Sequence, residues 1–285
     1  MKILLYMFVI AFLIMFPSAT ADTAKQALML WAANIVPTLF PYMVFSRLLC
    51  MSLETIRFPI PALCAVLGLL GGSPSGAAVI ASNRHAFSKR ALLTLCALCG
   101  TISPMFILGS IQAWTGQPAV CCRLLGVHWL SSALCAWAVW VFHPQRPQNS
   151  DAYRTQKRSA ESSNPIQQSI DAVFQIGGCI ILYSVLAGML GKILQPIPWL
   201  QPIIHAMLEI SGGVHAILSS AFTPNTKAVL LSTSLGFSGF SILSQNHMLL
   251  KPLGISMHRL ILFAILRAAT SALLMSWTIM RYPFS

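Results

Sequence analysis

Residues 60–83 read IPALCAVLGLLGGSPSGAAVIASN, an apolar stretch broken in its middle by Gly71-Gly72-Ser73-Pro74-Ser75-Gly76. A transmembrane helix needs about 20 consecutive apolar residues, and neither arm is that long. The stretch therefore reads as a re-entrant hairpin, 58–84 with its flanks, that dips into a membrane and returns to the same side. Residues 198–222 repeat the design, with a break at Ser211-Gly212-Gly213 just after Glu209.

Around these hairpins lie apolar segments of near-spanning length, at 27–46, 91–112, 120–142, 170–190, 228–248 and 260–280. Of 285 residues 56% are hydrophobic and 8% charged, where a soluble domain carries about a quarter charged. A surface so poor in charge faces lipid, so the bilayer is the first partner. The net charge of +12 does not indicate nucleic acid. The basic residues sit between apolar stretches, where Lys and Arg hold cytoplasmic loops, and not on a polar, aromatic-studded domain. Cys96 and Cys99 form a CxxC without a second pair or a histidine cluster, so no metal site is expected. The eight cysteines read as small hydrophobes.

The positive-inside rule supports the hairpins. If 60–83 returns to its own side, Arg47, Arg57, Arg84, Lys89 and Arg90 share that side with Arg146, Arg154, Lys157 and Arg158. If it crosses, the asymmetry weakens. The expected topology has seven full crossings and a cytoplasmic N-terminus. Residues 1–26 form a first transmembrane helix or signal-anchor; Ala19-Thr20-Ala21 resembles a cleavage site, but retention is the favoured reading. The polar stretch 143–168 is a cytoplasmic linker. It separates a first repeat, 27–142, with a broken helix at 91–112, from a second, 169–285, with a broken helix at 228–248. Each repeat crosses three times, so the second is inverted. The fold class is an all-α polytopic membrane protein of two inverted repeats, each with a re-entrant hairpin and a discontinuous helix.

Four interruptions fall at matching places: GGSPSG (71–76), GTISP (100–104), EISGG (209–213) and GFSGFS (236–241). Broken backbone at membrane depth is tolerated only where protein buries it or a wet cavity runs past it. Half-helix N-termini attract anions, and freed carbonyls suit cations. The expected substrate-binding residues are Gly72, Ser73, Ser75 and Gly76 at the first tip, with Thr101 and Ser103 at the first broken helix. Glu209, Ser211, Gly212 and Gly213 form the second tip, and Ser238, Gly239, Ser241 and Gln245 the second broken helix. The alternative is close helix packing through small residues. A carboxylate at Glu209 costs about 2.5–3.5 kcal/mol in an apolar segment. It is expected to be paired with a nearby His or Lys, protonated, or a site for a coupling ion, sodium or a proton. Arg267, within the last span, is expected to meet a carboxylate, an anionic substrate or a headgroup. His128, His205 and His215 read as hydrogen-bonded packing residues.

The run Trp31…Asn34-Ile-Val-Pro37-Thr-Leu-Phe40-Pro41, followed by GGSPSGA (71–77), SPMFILG (103–109), LEISGG (208–213) and GFSGFSILSQ (236–245), resembles the YlbJ-like sporulation integral membrane proteins. The resemblance covers about 27–280. These proteins are grouped with the gate-domain, or nucleoside-recognition, membrane proteins, relatives of the concentrative nucleoside transporters. The resemblance implies hairpin tips at Gly72–Gly76 and Glu209–Gly213 and unwound segments at Thr101–Pro104 and Gly236–Ser241. It also implies a role in sporulation, in a forespore or mother-cell membrane, moving dipicolinate. Such a dianion suits paired half-helix N-termini, one for each carboxylate.

The functional expectation is a permease for a small polar or anionic metabolite, working by alternating access at the repeat interface, with no catalytic residues and no cofactor. A homo-oligomer is compatible with this reading. One rival is a channel or complex subunit. The other is an intramembrane serine protease, because Gly236-Phe-Ser238-Gly239 fits GxSG; that chemistry needs a histidine beside the serine.

Overall fold

The computed structural model describes residues 2–54, 59–84, 87–143 and 164–282. Every regular element among them is helical. The chain opens with α1 (Lys2–Met15) and α2 (Pro17–Leu30), whose axes meet at 100°. Pro17 occupies the first turn of α2, where its missing N–H costs nothing. A wide turn at Trp31–Ile35 then leads into α3 (Val36–Glu54). Pro37 follows this turn, and the widening accommodates the hydrogen bond that proline cannot give. The segment expected to start at 27 is thus the middle of a longer helical rod that starts at Pro17.

Two short helices, α4 (Ile60–Gly71) and α5 (Ser75–Ser82), pack against each other as a hairpin. After α6 (Lys89–Cys99) the helix unwinds, and it resumes at Pro104 through the wide turn Phe106–Ile111 into α7 (Gln112–Thr115). Then come α8 (Pro118–Phe142) and α9 (Pro165–Ile193). A second hairpin is made by α10 (Gln201–Leu208) and α11 (Ile210–Ser219). The chain ends with α12 (Pro224–Phe237), α13 (Gly239–Leu250) and α14 (Met257–Arg281). Several starts are fixed by side-chain caps: Ser88 for α6, Asn164 for α9 and Thr223 for α12 each accept a backbone N–H of the first turn.

Four helical stretches, 118–142, 165–193, 224–253 and 257–281, are long and apolar enough to cross a membrane, and the bent α1–α2 pair makes a fifth. The seven-crossing expectation therefore needs composite crossings. The helix α6 has only 11 residues, about 16 Å of rise, and spans only together with the segment beyond its break. Most of the linker, 144–163, lies outside the described residues. So do Arg57, Arg146, Arg154, Lys157 and Arg158, on which the sidedness reading leans.

The outer faces carry exposed Trp137, Phe142, Phe174, Leu273 and Met280, a surface that suits lipid and not water. Between helices, clusters of buried Leu, Ile and Phe are joined by small and polar contacts of the kind found in membrane bundles. A Cβ on Gly236 of α12 would lie 2.8 Å from Ala268 Cα of α14, so these backbones touch. Ser271 Oγ donates to Ser131 Oγ at 2.7 Å, and Ser232 Oγ to Ser271 O at 3.2 Å, tying α8, α12 and α14 together. On the other flank Trp31 lies over Gly177 and donates its Nε1–H to Val173 O at 3.2 Å.

Candidate substrate cavity at the helix breaks

Each hairpin tip abuts the break of the discontinuous helix that follows it. At the first tip Gly72 has φ +64°, and a Cβ there would sit 2.3 Å from Ser103 N. Ser73 N–H donates to Thr101 O, and Ser73 Oγ to Cys99 O at 3.3 Å. The hairpin thus satisfies carbonyls that the unwinding of α6 sets free. At the second tip Gly239 has φ +80°, and a Cβ there would lie 3.2 Å from Ala206 O. Gly213 carries no side chain because one would fall 2.1 Å from Ala206 Cα across the α10–α11 hairpin.

Glu209 is the N-cap of α11. It is 3% exposed, and its carboxylate accepts Ser211 N–H at 3.0 Å and Gly212 N–H at 2.7 Å. A carboxylate at a helix N-terminus meets orphan N–H groups and the positive end of the dipole. That half-helix end is therefore filled by the protein's own anion. His205 stands one turn before, its ring within 3.4 Å of a Cβ placed on Gly212.

Between the four breaks lies a cavity of about 590 Å³, within the range of about 300–1,000 Å³ for small-molecule sites. Three breaks reach it, Ser73 and Pro74 from the first tip, Ile102 and Ser103 from the α6 break, and Glu209 and Ser211 from the second tip, and α13 beyond the fourth break adds Ser241 and Gln245. Its apolar walls come from α2, α3 and α9 and from Phe106 and Trp114. Among the described residues no Lys, Arg or His lines it, and Glu209 is the one ionisable side chain that does.

Six of the fourteen expected residues line the cavity: Ser73, Ser103, Glu209, Ser211, Ser241 and Gln245. The other eight build the walls from behind. Gly72, Gly213 and Gly239 are close-approach or left-handed positions. Gly76 packs 3.1 Å from Cys99, as measured from a Cβ built on it, and Ser75 Oγ donates to Gly72 O at 2.9 Å. Thr101 is fully buried, and Gly212 gives its N–H to Glu209. Ser238, fully buried with φ +72°, lies within hydrogen-bond reach of Gly100 O at 3.3 Å and Leu235 O at 3.1 Å. Its hydroxyl mends a helix break instead of pointing at a histidine, so GxSG here has the geometry of a kink and not of an activated nucleophile.

Two structural residues carried other expectations. Among the described residues no carboxylate pairs with Arg267, which is 2% exposed, with Nη1 3.2 Å from Ala97 O and Nε 3.3 Å from Gly236 O. His128, fully enclosed, accepts Ile102 N–H on Nε2 at 2.9 Å and so serves the α6 break from α8. Replacing His128 by leucine orphans that buried N–H, and destabilisation by about 1–3 kcal/mol is expected. Thermal unfolding in detergent checks this; an unchanged midpoint refutes it. The sequence reading passed over Ser110, Phe106 and Trp114, which also line the cavity. Positions 103, 106, 110 and 114 recur at helical spacing, a face that periodicity past Pro104 reveals.

The elements define an all-α polytopic membrane protein whose discontinuous helices enclose a ligand-sized cavity. Among known proteins, the chain is similar to the sporulation integral membrane protein YlbJ of Bacillus subtilis (strain 168), 25% identical over an alignment of 296 residues that covers 84% of this chain and 72% of the relative. This similarity supports the YlbJ-like resemblance carried by the motifs of the chain. No family model and no solved structure matches it.

Proposed function

We propose that the chain is a permease for a small polar or anionic metabolite, acting in sporulation as the name of its relative suggests, with dipicolinate as the specific substrate. The observation that carries this reading is the cavity lined by three helix breaks and by the helix that follows the fourth. Breaks are the elements that move in alternating access, and they supply the hydrogen-bonding backbone and hydroxyls of a midplane site. The membership in the gate-domain superfamily and the inverted repeats belong to the same proposal.

Electrostatics restricts how an anion can use this site. With Glu209 on the wall and no basic side chain facing it, a bare dianion meets net repulsion in a medium of low dielectric. An anionic substrate would then travel with a cation or a proton, which is a physical reason for a coupling ion, sodium or a proton, at Glu209.

The test is uptake of labelled dipicolinate by proteoliposomes that hold the purified protein, with Ser103→Trp as the control that fills the cavity. Saturable uptake, reduced at least tenfold by Ser103→Trp, supports the carrier. If dipicolinate, nucleosides and small carboxylates all fail to enter, the permease reading falls, and a channel or complex subunit takes its place.

A further inference from the structure

Arg267 is the bulkiest of the fully buried side chains, and among the described residues no carboxylate pairs with it. Its two carbonyl partners, Ala97 O and Gly236 O, belong to the last turns of α6 and α12. These are the C-terminal ends of the two helices that stop at the cavity, where a cation is favoured by the dipole and by orphan carbonyls. One guanidinium therefore holds both broken helices. Gly100 makes room for it, since a Cβ there would lie 2.7 Å from Nη1.

Beside the guanidinium is a second cavity of about 10 Å³, with Cys99, Gly100, Asn246 and Arg267 in its wall. That is about the room of one water molecule. Asn246, 3% exposed, donates Nδ2–H to Ser73 Oγ at 3.1 Å, and its Oδ1 is buried without a partner. Turning the amide over does not cure this. Ser73 Oγ already gives its single proton to Cys99 O, so it can only accept from Asn246. An unpartnered acceptor and a guanidinium thus line one water-sized space, a geometry that suits a single water accepting from Arg267 N–H and donating to Asn246 Oδ1. Ser73, at the far end of this chain, lines the large cavity.

We propose that Arg267 is a positioning residue of the large cavity, holding the ends of the two broken helices together and joined to the ligand-facing Ser73 through Asn246 and one buried water. A ligand that takes the Ser73 hydroxyl withdraws it from Cys99 O or from Asn246. That disturbs the water and loosens or tightens the grip of Arg267 on Ala97 and Gly236. The inference rests on reading the large cavity as the ligand site, and it says how occupancy is transmitted to the helices that move.

A double-mutant cycle tests it. The reporter is Ser110→Cys, on the cavity wall, in a protein with Cys122→Ser and Cys179→Ser, the two cysteines that are not buried. The rate of modification by a small cationic thiol reagent is measured in proteoliposomes for Arg267→Gln, Asn246→Leu and the pair. Gly100→Ala adds a second route, since it crowds Nη1 and leaves the charge. Each single change is expected to alter the rate about fivefold or more in one direction, with the pair going no further than either alone, as for residues in one network. Effects that multiply in the pair, or a rate left unchanged by Asn246→Leu or Gly100→Ala, overturn the proposal. An experimental map that resolves ordered water is expected to show one between Arg267 and Asn246, and a different species there overturns the bridge. Uptake separates the two readings. Loss of all uptake with a coupled cycle removes the permease and keeps the relay, whereas uptake with an independent cycle removes the relay alone.

Discussion

Gly72→Ala is expected to unseat the first hairpin from the α6 break and to cost about 2–6 kcal/mol. Two terms add up to that figure. Gly72 has φ +64° and ψ −170°, a conformation essentially reserved for glycine, in which a side chain costs about 1–3 kcal/mol. Forcing an extra carbon into a filled site costs about 1–3 kcal/mol; here the new Cβ would lie 2.3 Å from Ser103 N and 2.5 Å from Ser103 Cα. Backbone cannot swing aside as a side chain can, so the tip must retreat and give up its hydrogen bonds to Thr101 O and Cys99 O. Gly116 supplies the control, because it has φ +66° with nothing within 4 Å of an added Cβ. Gly116 lies in the left-handed helical region, with ψ +11°, so Gly116→Ala carries a positive-φ term of about 1–2 kcal/mol without a clash. Unfolding midpoints of the two variants in detergent, beside uptake, separate the terms. If both variants fall equally, the contact between tip and break contributes nothing and the packing account is wrong. Gly213→Ala gives the complementary case, with ordinary φ but a Cβ 2.1 Å from Ala206 Cα.

Where the helices stop was legible in the sequence, because stopping is a local property. Gly71-Gly72-Ser73-Pro74 and Gly236-Phe-Ser238-Gly239 end helices through backbone freedom and missing donors, whatever surrounds them. The structure breaks at Gly72–Pro74, Gly100–Ser103, Glu209 and Ser238, inside the four expected intervals. Which residues of a break face a ligand was not legible. Ser73 and Ser75 have the same side chain two positions apart, yet one lines the cavity and the other bonds back to Gly72 O. Tertiary packing makes that choice. Arg267 misled for a related reason: a cation in an apolar span suggests an anion, but its partners are the carbonyls of Ala97 and Gly236, groups that every residue owns and no letter marks. His128 likewise answers a backbone N–H. The crossing count suffered because α6 is too short to span by itself.

Glu209→Gln is expected to abolish the sodium or pH dependence of uptake while leaving the protein folded, and the comparison with Glu209→Ala says why. The carboxylate does two things in the structure. As an N-cap it accepts Ser211 N–H and Gly212 N–H, and as the single ionisable group on the wall it sets the sign of the cavity's field. Glutamine keeps one oxygen for the cap, removes the charge and gives up the second N–H bond, so part of the cap's stability is retained. Alanine removes both, and loss of an N-cap costs about 0.5–2 kcal/mol. The midpoint should therefore fall less for glutamine than for alanine. Uptake should separate them differently, since both lose the charge. Without Glu209 the repulsion of a dianion is gone, so apparent affinity for the bare anion should rise at least several-fold, a change that follows from an effective dielectric of about 20 at such sites. The ion dependence should vanish in the same variants. If Glu209→Gln keeps the ion dependence and affinity of the parent protein, Glu209 is a cap and nothing more, and the coupling charge must be sought outside the cavity wall. If glutamine lowers the midpoint as far as alanine does, the charge itself holds the α10–α11 hairpin, and any change in uptake reports a damaged tip instead of a lost ion site.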